Sequence, residues 1–157
     1  MGLVADSAMR RAPWTDLDGT TIYGLLALRA AVFVVEQDCA YLDLDGRDLE
    51  AGAEQWWIED GTGITACLRV LDDGVNRAGV PVRRIGRVAT APAARGRGLA
   101  SRLTERVLAA YPDSEFVLSA QAHLVEWYAG FGFVAEGEAY LEDGIPHRAM
   151  RRKVNGS

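Results

Sequence analysis

Apolar positions along the chain switch between a helical and a strand repeat, and the switches mark out its elements. Ile22, Leu25, Leu26, Val32 and Phe33 recur with Arg29 at helical spacing, which predicts a helix over 20–35 capped by Thr20 or Thr21. Residues 36–54 are acidic and turn-rich, with Asp43, Asp45, Gly46 and Asp48 as breakers, and read as a loop. Two strands, 55–59 and 65–71, flank the hairpin signal Asp60-Gly61-Thr62-Gly63. A second loop leads to a strand over 83–91 around Ile85 and Val88. Leu99, Leu103, Val107 and Leu108 then share one face of a helix over 99–110. A short buried strand (116–120), a short helix (123–129) stopped by Gly130, and two closing strands (131–136 and 146–154) around the turn Glu142-Asp143-Gly144 complete the pattern.

An antiparallel start followed by a strand–helix–strand crossover implies a mixed sheet with helices on its faces, so the fold class is α+β. A chain of 157 residues suits one domain, and residues 1–13 are expected to be poorly ordered. Asp, Glu, Arg or Gly interrupts every apolar run before bilayer length. No apolar segment follows Arg10 and Arg11, so neither a membrane span nor a signal peptide is expected, and the location expected is cytoplasmic.

The net charge of −5 argues against a nucleic-acid partner, which calls for a basic footprint. Arg83, Arg84, Arg87, Arg95, Arg97, Arg102 and Arg106 nonetheless crowd one stretch, a pattern that suits a small anionic ligand or else a solvated basic face. Cys39 and Cys67 read as reduced, part-buried residues. Neither they nor His123 and His147 have metal-ligand spacing, so no metal is expected. A homodimer stays open.

The most informative stretch runs from Arg84 to Ser101, where a strand enters a Gly/Arg-rich turn that opens a helix. A helix start exposes unpartnered N–H groups and a partial positive charge. Gly96 and Gly98 let an anion approach the backbone, and Arg95 and Arg97 add charge. A P-loop would need Lys-Ser/Thr after its last glycine, but Leu99 and Ala100 stand there and the chain's lysine is Lys153. A dinucleotide fingerprint would need a third small residue where Ser101 stands and an acid closing the next strand, which ends Ser119-Ala120-Gln121.

The pattern Arg/Gln-x-x-Gly-x-Gly/Ala remains, and Arg95-Gly96-Arg97-Gly98-Leu99-Ala100 carries it. Here the chain resembles the Gcn5-related N-acetyltransferase superfamily. A second stretch, Gln121-Ala-His-Leu-Val-Glu-Trp127-Tyr128-Ala-Gly-Phe-Gly132-Phe133, keeps that family's aromatic-Tyr and Gly-Phe register, with Gln121 for the usual Asn and Leu124 for Ala. Residues 28–37, Asp45-Gly46, 118–123 and 143–147 look most similar to the bacterial ElaA-like branch.

The resemblance implies a sheet splayed at the cofactor strand and acetyl-coenzyme A as co-substrate. It also implies an acetyl group passed to the amine of a small molecule or peptide. Val88, Ala89, Thr90, Arg95, Gly96, Arg97, Gly98, Leu99, Ala100, Ser101 and Gln121 would hold the cofactor, and Val88 N–H would polarise the carbonyl. Tyr128 stands at the family's general-acid position, although a lone Tyr on a short helix is most often a core aromatic. The strand 83–91 has no carboxylate, so the base must come from elsewhere. Glu36 leads the candidates, followed by His123, Glu142, Asp143, His147 or water. Arg29, Phe33 and His147 are expected along the acceptor's path. The rival reading is a non-catalytic acyl-coenzyme A sensor of the same fold.

Overall fold

The structure, a computed structural model, describes residues 7–154. Seven strands form one sheet: β1 (Ala8–Ala12), β2 (Glu54–Asp60), β3 (Gly63–Val75), β4 (Pro81–Thr90), β5 (Glu115–Gln121), β6 (Val134–Glu142) and β7 (Ile145–Arg152). The helices are α1 (Gly19–Arg29), α2 (Leu99–Ala110) and α3 (Val125–Ala129). The strand order is β1-β2-β3-β4-β5-β7-β6, with every pairing antiparallel except β4–β5. This is the mixed α+β sheet expected of the sequence.

Residues 65–71 are buried on both sides of the sheet, and their alternate side chains feed two cores. Ala66, Leu68 and Val70 join Trp56, Ile58, Leu103, Val107 and Phe116 beneath α2 and α3. Cys67 points the other way, to Trp57, Ala89, Leu25 and Leu28 of α1, and Val32 just beyond it. Leu103 and Val107 are fully buried, and each such side chain stabilises by about 1.5–3 kcal/mol relative to exposure. That anchors α2, and with it the turn that precedes it.

Several boundaries differ from expectation. Asp18 caps α1, its carboxylate accepting the Thr21 N–H at 2.8 Å, two and three residues ahead of the threonines named from sequence. Beyond Arg29 the helix loosens into wider π-type turns over Ala30–Glu36. Residues 1–6 lie outside the described residues, but the rest of the N-terminal stretch expected to be poorly ordered supplies β1. It pairs with β2, Met9 packs on the core, and the Arg11 guanidinium lies 4.8 Å from the Trp56 ring centre.

β6 starts later and runs longer than expected. Phe131 and Gly132 continue the turn after α3, and the mostly exposed β6 is held by pairing to β7 over 134–136 and 140–142, on either side of an irregularity at 137–139, rather than by apolar burial. Gly19–Glu36 is long and apolar enough by composition to cross a membrane, contrary to expectation. Its Leu25, Leu28 and Val32 are nonetheless buried against the sheet and its Arg29 is buried among carboxylates.

Candidate functional site

β4 and β5 stay paired only where Val82, Arg83 and Arg84 face Glu115, Phe116 and Val117. Beyond that they part, while β5 remains paired to β7 as far as Gln121 opposite His147. The cause lies in β4. Arg69 faces Gly86 and Cys67 faces Ala89, so one β3 residue opposes two on β4, a bulge at Arg87–Val88. Arg87 adopts a left-handed φ of 53°, costly for a side-chain-bearing residue. Such a bulge bends its strand and sharpens the twist. Ion pairs from the Arg87 guanidinium to Asp43 and Asp45 hold it.

Two cavities fill the resulting wedge. One, of about 560 Å³, is lined by every expected cofactor residue except Arg97. Gly98 caps α2 at φ 70° with no side-chain partner for the first-turn N–H groups, and Gly96 stands at φ 81°. A Cβ at either glycine would meet no protein atom within 4 Å, so both open onto free space. A strand edge, bare helical amides and two open glycines fit a diphosphate with a pantetheine arm. Arg97 turns away, one guanidinium nitrogen donating to the Ala93 carbonyl at 3.4 Å.

The second cavity, of about 660 Å³, lies on the other side of the bulge. Phe33 and His147 line it, together with Asp45 and Arg87 and with Tyr41, Leu42 and Arg69, which the sequence did not single out. The cavities share Phe33, Gln37, Val88, Gln121, Leu124 and Tyr128. Tyr128, 6% exposed, therefore stands where they meet. Burial pushes its phenol up to about 12, so it keeps its proton at neutral pH. Its hydroxyl makes no hydrogen bond among the described residues, and its ring packs edge-on against Trp127 and Phe133.

Two expected site residues fall elsewhere. Glu36 lines the first cavity, beside the start of α2, and not the second, and both its oxygens accept from Arg95, at 2.6 and 2.5 Å. The Arg95 hydrogen bonds hold its carboxyl below the usual value, which weakens it as a base. Arg29, expected to touch the acceptor, is fully buried. Its Nε donates to Asp43 at 2.9 Å and its Nη1 to Asp48 at 2.8 Å, which ties α1 to the loop over the cavity.

Most of the arginine cluster has a similar explanation. Arg84 pairs with Asp73, and Arg83 lies 3.7 Å above the Tyr111 ring. Arg29, Arg47, Arg69, Arg84 and Arg87 interlock with Asp43, Asp45, Asp48, Glu50 and Asp73, five cations against five anions. Burial works to raise the Asp45 carboxyl, but the Arg69 hydrogen bonds, the Arg47 amide and the neighbouring guanidiniums bring it down to about 2.

A sheet opened at a bulged strand, a helix-start cradle below it and a second cavity joining at the opening define an acyl-coenzyme A-binding transferase fold. The model of the acetyltransferase (GNAT) domain matches residues 44–154. A UPF0039 protein of Mycobacterium tuberculosis is 45% identical over 150 residues, 95% of each chain. The crystal structure of an acyl-CoA N-acyltransferase from Pseudomonas aeruginosa superposes with a TM-score of 0.83 at 44% identity, covering 94% of this chain and 99% of that one. That of Escherichia coli ElaA superposes with the same score at 35% identity, covering 94% and 100%. The chain belongs to the GNAT acetyltransferase family and is ElaA-like within it.

Proposed function

We propose that this protein is an acetyl-coenzyme A-dependent N-acetyltransferase that passes the acetyl group directly to a primary amine of a small molecule or peptide. The observation that carries the reading is the meeting of the two cavities at Val88, Gln121 and Tyr128. A donor in one and an acceptor in the other touch there, so no acyl-enzyme is needed. The shared lining offers no cysteine, serine or threonine, Cys39 lies on the wall of the second cavity alone, and Cys67 is buried with its thiol pushed up to about 12 by desolvation.

Each residue at the junction has a stated part. First-turn amides of α2 and Arg95 hold the diphosphate, and β4 from Val88 to Thr90 pairs with the pantetheine arm as a neighbouring strand would. The Val88 N–H stabilises the carbonyl oxygen as charge develops on it. Gln121 offers its side-chain amide to the cofactor in place of the family's usual Asn. Tyr128, protonated and at the junction, gives its proton to the departing thiolate. A cytoplasmic setting, where coenzyme A thioesters occur, belongs to the same proposal.

Thiol release from acetyl-coenzyme A with a panel of polyamines, amino acids and peptides tests the function. Turnover on at least one amine is expected. Tyr128→Phe should lower kcat about 100-fold while leaving coenzyme A affinity within twofold. β4 has no carboxylate, which is the feature favouring a non-catalytic sensor. Calorimetric binding of coenzyme A with no turnover on any amine would establish that reading instead.

A further inference from the structure

We propose that His147 is the base of the transfer, its Nε2 taking a proton from the acceptor ammonium. The assignment rests on the N-acetyltransferase reading above. His147 lies on β7 directly opposite Gln121, the last β5 residue to keep its partner after β4 has departed, and it lines the acceptor cavity beside the junction. It is 7% exposed, so the ring is held by its neighbours and not swept by solvent.

Those neighbours set the proton arrangement. The Ile145 carbonyl oxygen, an acceptor only, lies 2.7 Å from Nδ1, so Nδ1 carries the hydrogen and donates it. In the neutral ring Nε2 is then left with a bare lone pair. The Glu142 carboxylate stands 3.3 Å from Nε2 and welcomes the charge once a proton arrives there. The ring of Tyr140 stacks on the imidazole with centres 6.2 Å apart, and its hydroxyl is bonded to Ser119. The groups facing His147 are therefore Glu142 and Tyr140 from β6, Ser119 and Gln121 from β5, and Asp143 with its Cys39 contact from the turn. The charged group in contact with the ring is the Glu142 carboxylate, and Arg47, Arg69, Arg84 and Arg87, which line the same cavity, are each paired with carboxylates of their own.

Of the other candidates, Glu36 is bound to Arg95, His123 lines the first cavity, Glu142 is the partner of His147 itself, and Asp143 sits on the exposed turn after β6; the cavity's further acids, Asp45 and Asp73, are held as anions by two arginines each. Histidine is also the side chain whose ordinary titration falls nearest neutrality, where a base must both accept and return a proton.

The step balances without an added reagent. The ammonium gives one proton to Nε2, directly or through one water. Its freed lone pair forms the C–N bond, the C–S bond breaks, and the thiolate takes the Tyr128 proton. The second nitrogen-bound proton restores Tyr128, and Nε2 releases its proton to solvent. Amine, thioester and charge are all accounted for.

Two measurements test the role. The first uses wild-type protein and H147Q with an amine from the panel across pH 6–10. H147Q should lose about 100-fold in kcat/KM at pH 7 and keep coenzyme A affinity. The deficit should shrink as pH approaches the amine's own pKa of about 10, where free amine needs no base. A loss below fivefold, or one that is the same at every pH, overturns the proposal. If wild-type protein releases no thiol with any amine, the transferase reading itself falls, and this role with it.

The second measurement needs no acceptor. The chain has 2 histidines, so the ring-nitrogen NMR signals of H123Q report His147 alone. A protonated Nδ1 and a bare Nε2 in the neutral ring are expected. The opposite tautomer overturns the assignment even if H147Q fails to fold.

Discussion

Replacing Arg29 by methionine separates the two parts this residue could play. The guanidinium is fully buried and donates to Asp43 twice and to Asp48 twice, at 2.8–3.2 Å. Removing one partner of a buried ion pair costs about 3–5 kcal/mol because the other charge is left uncompensated. Here the low end applies. Asp43 keeps Arg87 and the Tyr41 hydroxyl, and Asp48 keeps Gln55 and Arg69. About 3 kcal/mol, at roughly 2–4 °C per kcal/mol for a domain of this size, lowers Tm by about 6–12 °C. Calorimetric or circular-dichroism melting at neutral pH reads the shift. Coenzyme A affinity should stay within twofold, since Arg29 lines neither cavity. A Tm within 2 °C of wild type, together with a raised KM for the amine, would refute this account and restore Arg29 as an acceptor-contacting residue.

Three further outcomes follow from the same geometry. Gly98→Val should abolish calorimetrically detectable coenzyme A binding. It imposes a β-branched side chain at φ 70° and fills the space above the first turn of α2; a dissociation constant within threefold of wild type would misplace the cradle. Glu36→Gln should release Arg95 from its carboxylate partner, tighten coenzyme A binding and leave kcat within twofold. A 100-fold fall in kcat would make Glu36 the base after all. In the folded protein one thiol, Cys39, should react with a chromogenic disulfide at neutral pH, because Cys67 is buried with a pKa of about 12. Two rapidly reacting thiols would show that the core beneath α1 opens.

The turn proposed as the cradle was legible because its pattern is local. Glycines, a helix start and the preceding strand lie within residues 84–101, and each makes its contribution through backbone that the sequence pattern already specifies. Tyr128 was legible for a different reason, as part of a register of aromatics after β5. The surroundings of Arg29 and Glu36 were not legible because their partners are distant in sequence. Nothing within a helical turn of Arg29 reveals Asp43 and Asp48, and Glu36 meets Arg95 only when α1 is folded onto the sheet. The N-terminal strand was missed because Ala8–Ala12 carries two arginines and little apolar alternation. What orders it is an edge of β2 offering unpaired backbone and a tryptophan face under Arg11.

The arginine cluster shows how composition can suggest the right ligand for the wrong reason. Seven arginines within 83–106 suggested a field for an anion, yet Arg83, Arg84 and Arg87 face away from the cradle. Of the seven, only Arg95 lines the cofactor cavity. On the proposed reading, binding a diphosphate there falls mainly to the backbone amides at the start of α2, which have no side-chain cap. The ion-paired arginines instead hold the 41–50 loop and the Arg87 bulge against each other. Buried ion pairs contribute little net stability over apolar packing, so their effect here is one of position. They keep β4 bent, and a bent β4 is what gives the two cavities a common point at which an amine and a thioester can meet.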